Sequence, residues 1–133
     1  LSAFCERYDP TKDGLWLCMD ADTHTVHGSI AIDGTDAATR GAHLRWFITS
    51  DAIRGTGAGR QLLAQAMAFC QQRAYPRIHL STFEGLHAAR HLYEKAGFHL
   101  IHQARGQQWG TEVNEQIFEY NAPPPPRTTP ISR

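Results

Sequence analysis

The chain has 133 residues, 41% hydrophobic and 20% charged, with 13 basic and 13 acidic side chains. Those totals suit one globular domain with a real core. Balanced charge excludes a strongly basic nucleic-acid surface. No apolar run approaches the roughly 20 residues of a membrane span, and no signal-peptide pattern is present.

In chain order, Leu1 to Tyr8 reads as the end of a helix, entered in its middle because the chain starts at Leu1 rather than Met. The turn sequence Asp9 to Gly14 follows. Leu15 to Asp20 and Val26 to Asp33 read as strands joined by a polar hairpin. After Gly34 to Gly41, the segment Ala42 to Thr49 alternates: Leu44, Trp46 and Ile48 are expected on one face, His43, Arg45 and Phe47 on the other. From Arg60 to Tyr75 the apolar residues Leu62, Leu63, Ala66, Phe69 and Cys70 have helical spacing. Pro76 ends that helix and Arg77 to Phe83 reads as a strand. Leu86 to Ala96 is again helical, with Gly97 as its cap. Two late strands, beginning at Phe98 and at Glu112, are joined by Ala104 to Thr111. The domain therefore spans 1–121, and the proline-rich residues 122–133 read as a disordered tail. Three strands before the first full helix predict a mixed α/β sheet, not a doubly wound parallel one.

Cys5, Cys18 and Cys70 have no close pairing and read as free thiols of a reducing compartment, the cytoplasm. Cys70 reads as a core residue. His87 and His91 share a helix face, but Ala88 stands where a metalloprotease helix needs Glu, so no metal site is expected. His24, His27, His79, His99 and His102 read as strand and turn surface residues.

The most informative stretch is "RGTGAGR", Arg54 to Arg60, ahead of a helix. A helix start carries unpaired N–H groups and partial positive charge. Glycines let a phosphate approach that backbone, and flanking arginines add charge. The following Arg60-Gln61 does not fit a P-loop, which needs Lys and then Ser or Thr. Arg60 also stands where a dinucleotide fingerprint needs glycine.

This stretch resembles the R/Q-x-x-G-x-G/A motif of the GCN5-related N-acetyltransferase (GNAT) family, at Arg54, Gly57 and Gly59. "AARHLYEKAGF", Ala88 to Phe98, is similar to the A-x-x-L-Y-E-K-x-G-F signature of the family's later helix. "LWLCMDADTHTVHGSIAID", "AHLRWFIT" and "QQWGTEVNEQIFE" further resemble acetyltransferase domains fused behind a MarR-type winged-helix regulator. On that resemblance, the fold's first strand and helix precede this chain, as would any DNA-binding domain. A sheet edge left bare in this way invites pairing with a second copy, a homodimer.

The resemblance implies acetyl transfer from acetyl-CoA to a primary amine of a small molecule, peptide or protein. It implies that the backbone of Phe47, Ile48 and Thr49 holds the pantetheine arm. Gly55, Thr56, Gly57, Ala58, Gly59 and Arg60 would hold the pyrophosphate, with Arg54 bracing the loop. Tyr93 takes the position of the acid that protonates the leaving thiolate. Glu84, after the strand "RIHLSTF", is the candidate base. Where members of the family often carry Asn, seven residues before Tyr93, this chain has Leu86. Trp109 and Gly110 fall where substrate loops lie; Glu112 and Glu115 read either as attracting a cationic amine or, the commoner case, as exposed strand carboxylates. The alternative from the same resemblance is a regulator module that senses acetyl-CoA without turnover.

Overall fold

The computed structural model describes residues 2–83, 87–108 and 111–123. Its elements are α1 (Ser2–Glu6), β1 (Gly14–Met19), β2 (Val26–Asp33), β3 (Ala42–Thr49), a 3-10 turn (Asp51–Ile53), α2 (Ala58–Gln72), β4 (Arg77–Phe83), α3 (His87–Lys95), β5 (His99–Gln108) and β6 (Thr111–Asn121). The strands form one sheet in the order β1-β2-β3-β4-β6-β5. Only the β3–β4 pair is parallel, with α2 as its crossover; the others are antiparallel.

Sequence chemistry explains the helix limits. Gly57 caps α2 from the left-handed region, φ 83°, which glycine enters without a Cβ clash. Leu62, Leu63, Ala66 and Cys70 line one side of α2 and are buried. Beyond it, Tyr75 N donates to Cys70 O, and Pro76 cannot extend the helix. The end of α3 is a Schellman motif: Phe98 N donates to Tyr93 O, and Gly97 N to Glu94 O. Gly97 supplies the required φ of 107°.

The core lies between the sheet and the α2/α3 layer. Ile30, Ile32, Leu44, Ile78, Leu80 and Phe118 rise from the strands to meet Leu62, Leu63, Ala66, Cys70 and Tyr93. Each large side chain so buried contributes about 1.5–3 kcal/mol. The opposite face is largely polar, and α1 covers part of it through buried Phe4, whose ring lies 5.3 Å from that of Trp46.

Three expectations need correction. The alternation in β3 changes phase. Ser29 pairs with Ile48 but Ala31 pairs with Arg45, so β3 carries one extra residue, a bulge with Trp46 at φ 50°. Phe47 consequently turns to the core side with Leu44, while Ile48 is left 61% exposed. Helix α2 begins at Ala58, inside the glycine run. Much of the segment expected to link the last two strands is itself strand: Ala104 to Gln108 pair in turn with Glu115 to Thr111, extending the hairpin. Of the expected tail, Ala122 is bonded to the body, its N–H donating to Pro76 O. Residues 124–133 lie outside the described residues.

Candidate active site

The parallel strands β3 and β4 are joined at only two residue pairs, Ala42 with Ile78 and His43 with His79. From Leu44 onward β3 stays paired to β2, and from Leu80 onward β4 stays paired to β6, so the sheet splits between them. Backbone groups on the β4-facing edge of β3 are left for an outside partner, since buried N–H and C=O groups require one. The bulge at Trp46 lies in the pairing of this stretch of β3 with β2, where Ser29 Oγ donates to Trp46 O.

The start of α2 lies beside the far end of that split. A Cβ placed on Gly59 would stand 3.6 Å from Thr49 Cγ2 and from Leu92 Cδ1, and 3.8 Å from Phe47 Cζ. Strand β3, the glycine loop and α3 therefore converge there. Within the loop, Gly55 and Gly57 have φ of 79° and 83°. Thr56 folds it inward, its hydroxyl donating to Ile53 O and accepting from Ala58 N. The N–H groups of Gly59 and Arg60 have no carbonyl one turn earlier to bond, and the helix dipole favours an anion there. Arg54 is paired with Asp51 at 2.7 Å, both side chains more than 80% exposed. That surface pair shapes the loop entrance but contributes little stability.

Tyr93 closes the split from the helix side. It is 5% exposed, and its ring lies 5.8 Å from Phe47, 6.0 Å from Phe98 and 6.2 Å from Phe118. Burial pushes its phenol up to about 12, so it stays protonated throughout the physiological range. An apolar groove of about 920 Å³ runs away from the loop between α2 and α3, from Arg60 and Leu92 toward Tyr75 and Tyr120.

The other face of the split carries a row that the sequence reading missed. Strand register aligns Asp33 with His43, His43 with His79, His79 with Glu119, and Glu119 with His99. Aligned residues share a face, so the row crosses five strands at the closed end of the split. His43 and His79 stack, ring centroids 4.5 Å apart and 17° from parallel. His79 is thus half-buried and not the surface residue expected. Burial, with help from His79 and Arg45, pushes the His43 imidazole down to about 4, against the opposing pull of Asp33. Burial also lowers His79, assisted by Arg77 and Arg40 and opposed by Glu119 and a hydrogen bond to the Gly41 backbone. Asp33 is buried too, which alone would raise its pKa. Hydrogen bonds from Arg7 and Thr35 overcome this and hold it well below the usual carboxylate range. The available signal was a histidine near the start of each of two strands, second in β3 and third in β4, which only the parallel register converts into a pair.

Glu84, Leu86, Trp109 and Gly110 lie outside the described residues. Glu115 is exposed on β6. Among the described residues no group of three or more His, Cys, Asp or Glu is placed to hold a metal. No helix among them is long and apolar enough to cross a membrane.

A mixed sheet split beside a glycine-opened helix start is the architecture of an acyl-CoA N-acyltransferase. The model of the acetyltransferase (GNAT) family matches residues 2–98, and the chain belongs to that family of acetyltransferases. Solved structures share its fold at low identity. A ribosomal-protein-alanine N-acetyltransferase from Brucella melitensis is 17% identical with a TM-score of 0.74, over 90% or more of this chain (91%) and 76% of its own. A GNAT acetyltransferase from Elizabethkingia anophelis, with acetyl-CoA bound, is 16% identical with a TM-score of 0.66, covering 92% of this chain and 84% of its own. A spermidine N-acetyltransferase from Vibrio cholerae is 17% identical with a TM-score of 0.70, covering 90% and 72%. No curated protein matches the sequence.

Proposed function

We propose that this chain transfers an acetyl group from acetyl-CoA to a primary amine of a small molecule, peptide or protein. The observation that carries this is the split between β3 and β4 beyond His43 and His79, with the start of α2 at its far end. The backbone of Phe47, Ile48 and Thr49 would bond the pantetheine amides, as an added strand bonds a free sheet edge. The loop from Gly55 to Arg60 would take the pyrophosphate, and Arg54 holds the loop through Asp51.

Tyr93 would protonate the sulfur. When the amine nitrogen bonds the thioester carbon, the carbon–sulfur bond breaks and the sulfur keeps the electron pair. A phenol held neutral by burial keeps its proton ready for that sulfur, and water restores it afterwards. A low-dielectric site strengthens this hydrogen bond as charge develops on sulfur.

The likeness of residues 15–33, 42–49 and 107–119 to domains fused behind a MarR-type regulator favours a second reading, a module that binds acetyl-CoA without turnover. In that setting a DNA-binding domain would be joined to this chain, and a second copy would pair at the β1 edge. The free thiols of Cys5, Cys18 and Cys70 support a reducing, cytoplasmic setting for either. Calorimetry with acetyl-CoA, then release of coenzyme thiol with a panel of amines, decides. Binding with turnover supports transfer, binding alone supports the sensor, and no binding by the folded chain removes both.

A further inference from the structure

We propose that His79 is the base that takes the proton from the acceptor amine, with His43 and Glu119 holding it in place. This rests on the acetyltransfer reading above. Coenzyme held at the start of α2 enters the split from the helix side, where Tyr93 stands. The amine then approaches from the opposite face, which α1 covers only in part. His79 is on that face at the point where the strands part. Its neighbour Leu80 pairs with Phe118, the residue whose ring meets Tyr93. Donor and acceptor therefore flank the same gap from opposite sides of the sheet.

The surroundings of His79 suit a base. The Gly41 backbone favours its protonated form, and a neutral imidazole keeps one ring nitrogen as a proton acceptor. His43 stacks on one flank and Glu119 lies across on β6. The charged groups around the pair are Arg77 on β4, Arg45 on β3, Asp33 on β2, Glu119 on β6 and Arg40 in the loop before β3. Arg7, just past α1, is bound to Asp33. The ring is kept neutral near pH 7, as proton acceptance requires. Attack forms the carbon–nitrogen bond and places a positive charge on nitrogen. His79 takes that proton as the carbonyl re-forms and the thiolate leaves with Tyr93's proton. Glu119, across on β6, stabilises the imidazolium, and water takes the proton from the half-buried ring.

The test measures thiol release from acetyl-CoA with spermidine and with 2-phenylethylamine, at saturating amine, from pH 5 to 9. We expect kcat of the unaltered chain to fall on an acidic limb with a midpoint below 6.5. His79→Gln should lose about 100-fold in kcat and lose the limb, while acetyl-CoA affinity by calorimetry is unchanged. Glu84→Gln should keep the limb. Wild-type kcat in His79→Gln, a limb that survives in it, or a limb abolished by Glu84→Gln overturns the assignment while leaving acetyl transfer intact. No thiol release by the unaltered chain overturns both, and calorimetry then shows whether the coenzyme site stands. Should His79→Gln not fold, Glu119→Gln serves instead: its limb should move to lower pH, and an unmoved limb overturns the proposal.

Discussion

Phe47 and Tyr93 meet across the split sheet with ring centroids 5.8 Å apart, and they do so only because β3 bulges at Trp46. Without the extra residue, Phe47 would face the α1 side and Ile48 would lie under α3. The bulge thus brings the strand edge, the start of α2 and the phenol of α3 to one place. Tyr93→Phe keeps the ring and its packing. We expect unchanged thermal stability and acetyl-CoA affinity with kcat lower by about 10- to 100-fold. Equal turnover in the two proteins would remove Tyr93 as the proton donor.

Gly59 separates stability from function. It is in the first turn of α2, its φ is not left-handed, and an added Cβ would meet only ordinary contacts of 3.6 Å or more. Nothing in the folded chain therefore requires glycine here. Gly59→Ala should raise stability by up to about 1 kcal/mol, from helix propensity and reduced chain entropy. It should nonetheless weaken acetyl-CoA binding, because the methyl group occupies the space of the guest. Denaturant melts and calorimetry on the same sample test this; tighter folding with unchanged affinity would take Gly59 out of the site.

Gly57 behaves differently, since its φ of 83° strains any branched residue. Gly57→Val should cost about 1–2 kcal/mol of stability and abolish acetyl-CoA binding. A folded Gly57→Val protein with wild-type affinity would show that the loop does not hold the pyrophosphate.

Acid should unfold the domain in two stages. The His43 imidazole titrates near 4 when folded and near 6.5 when unfolded. Its contribution is complete above about 6.5 and is lost as pH falls from there toward 4, because the unfolded chain binds the proton more readily. Allowing for solvent screening, the loss is about 2 kcal/mol. Asp33, held low in the fold, adds a second loss below its unfolded value of 3.8. Urea midpoints measured from pH 3 to 8 should show both stages. In His43→Gln the decline between 6.5 and 4 should shrink while the loss below about 4 remains.

The three thiols should react in order of exposure. Cys5 is exposed, Cys18 half-buried and Cys70 buried, with burial pushing the Cys70 thiol up to about 12. A thiol-specific chromogenic reagent should label Cys5 first and Cys18 next, and should reach Cys70 only at the rate of unfolding. Prompt labelling of all three would contradict the packing of α2 on the sheet.

Much of the fold was legible from local chemistry. Apolar spacing marked α2 and α3, Gly97 and Pro76 marked their ends, and turn residues bounded the apolar runs of β2 and β4, because period and capping act between residues a few positions apart. The glycine loop was legible for the same reason, since three alternate glycines before a helix are a local backbone statement. Two features were decided only in three dimensions. The bulge at Trp46 reverses which side chains of β3 reach the core, and its cause is pairing with β2, a strand separated by a loop. The row from Asp33 through His43, His79 and Glu119 to His99 joins five strands whose order in the sheet is not their order in the chain. Local sequence preferences specify which residues form strands, but register and neighbour come from burying Ile32, Leu44, Ile78, Leu80 and Phe118 together. The imidazole pair at the parting of β3 and β4 is a consequence of that packing.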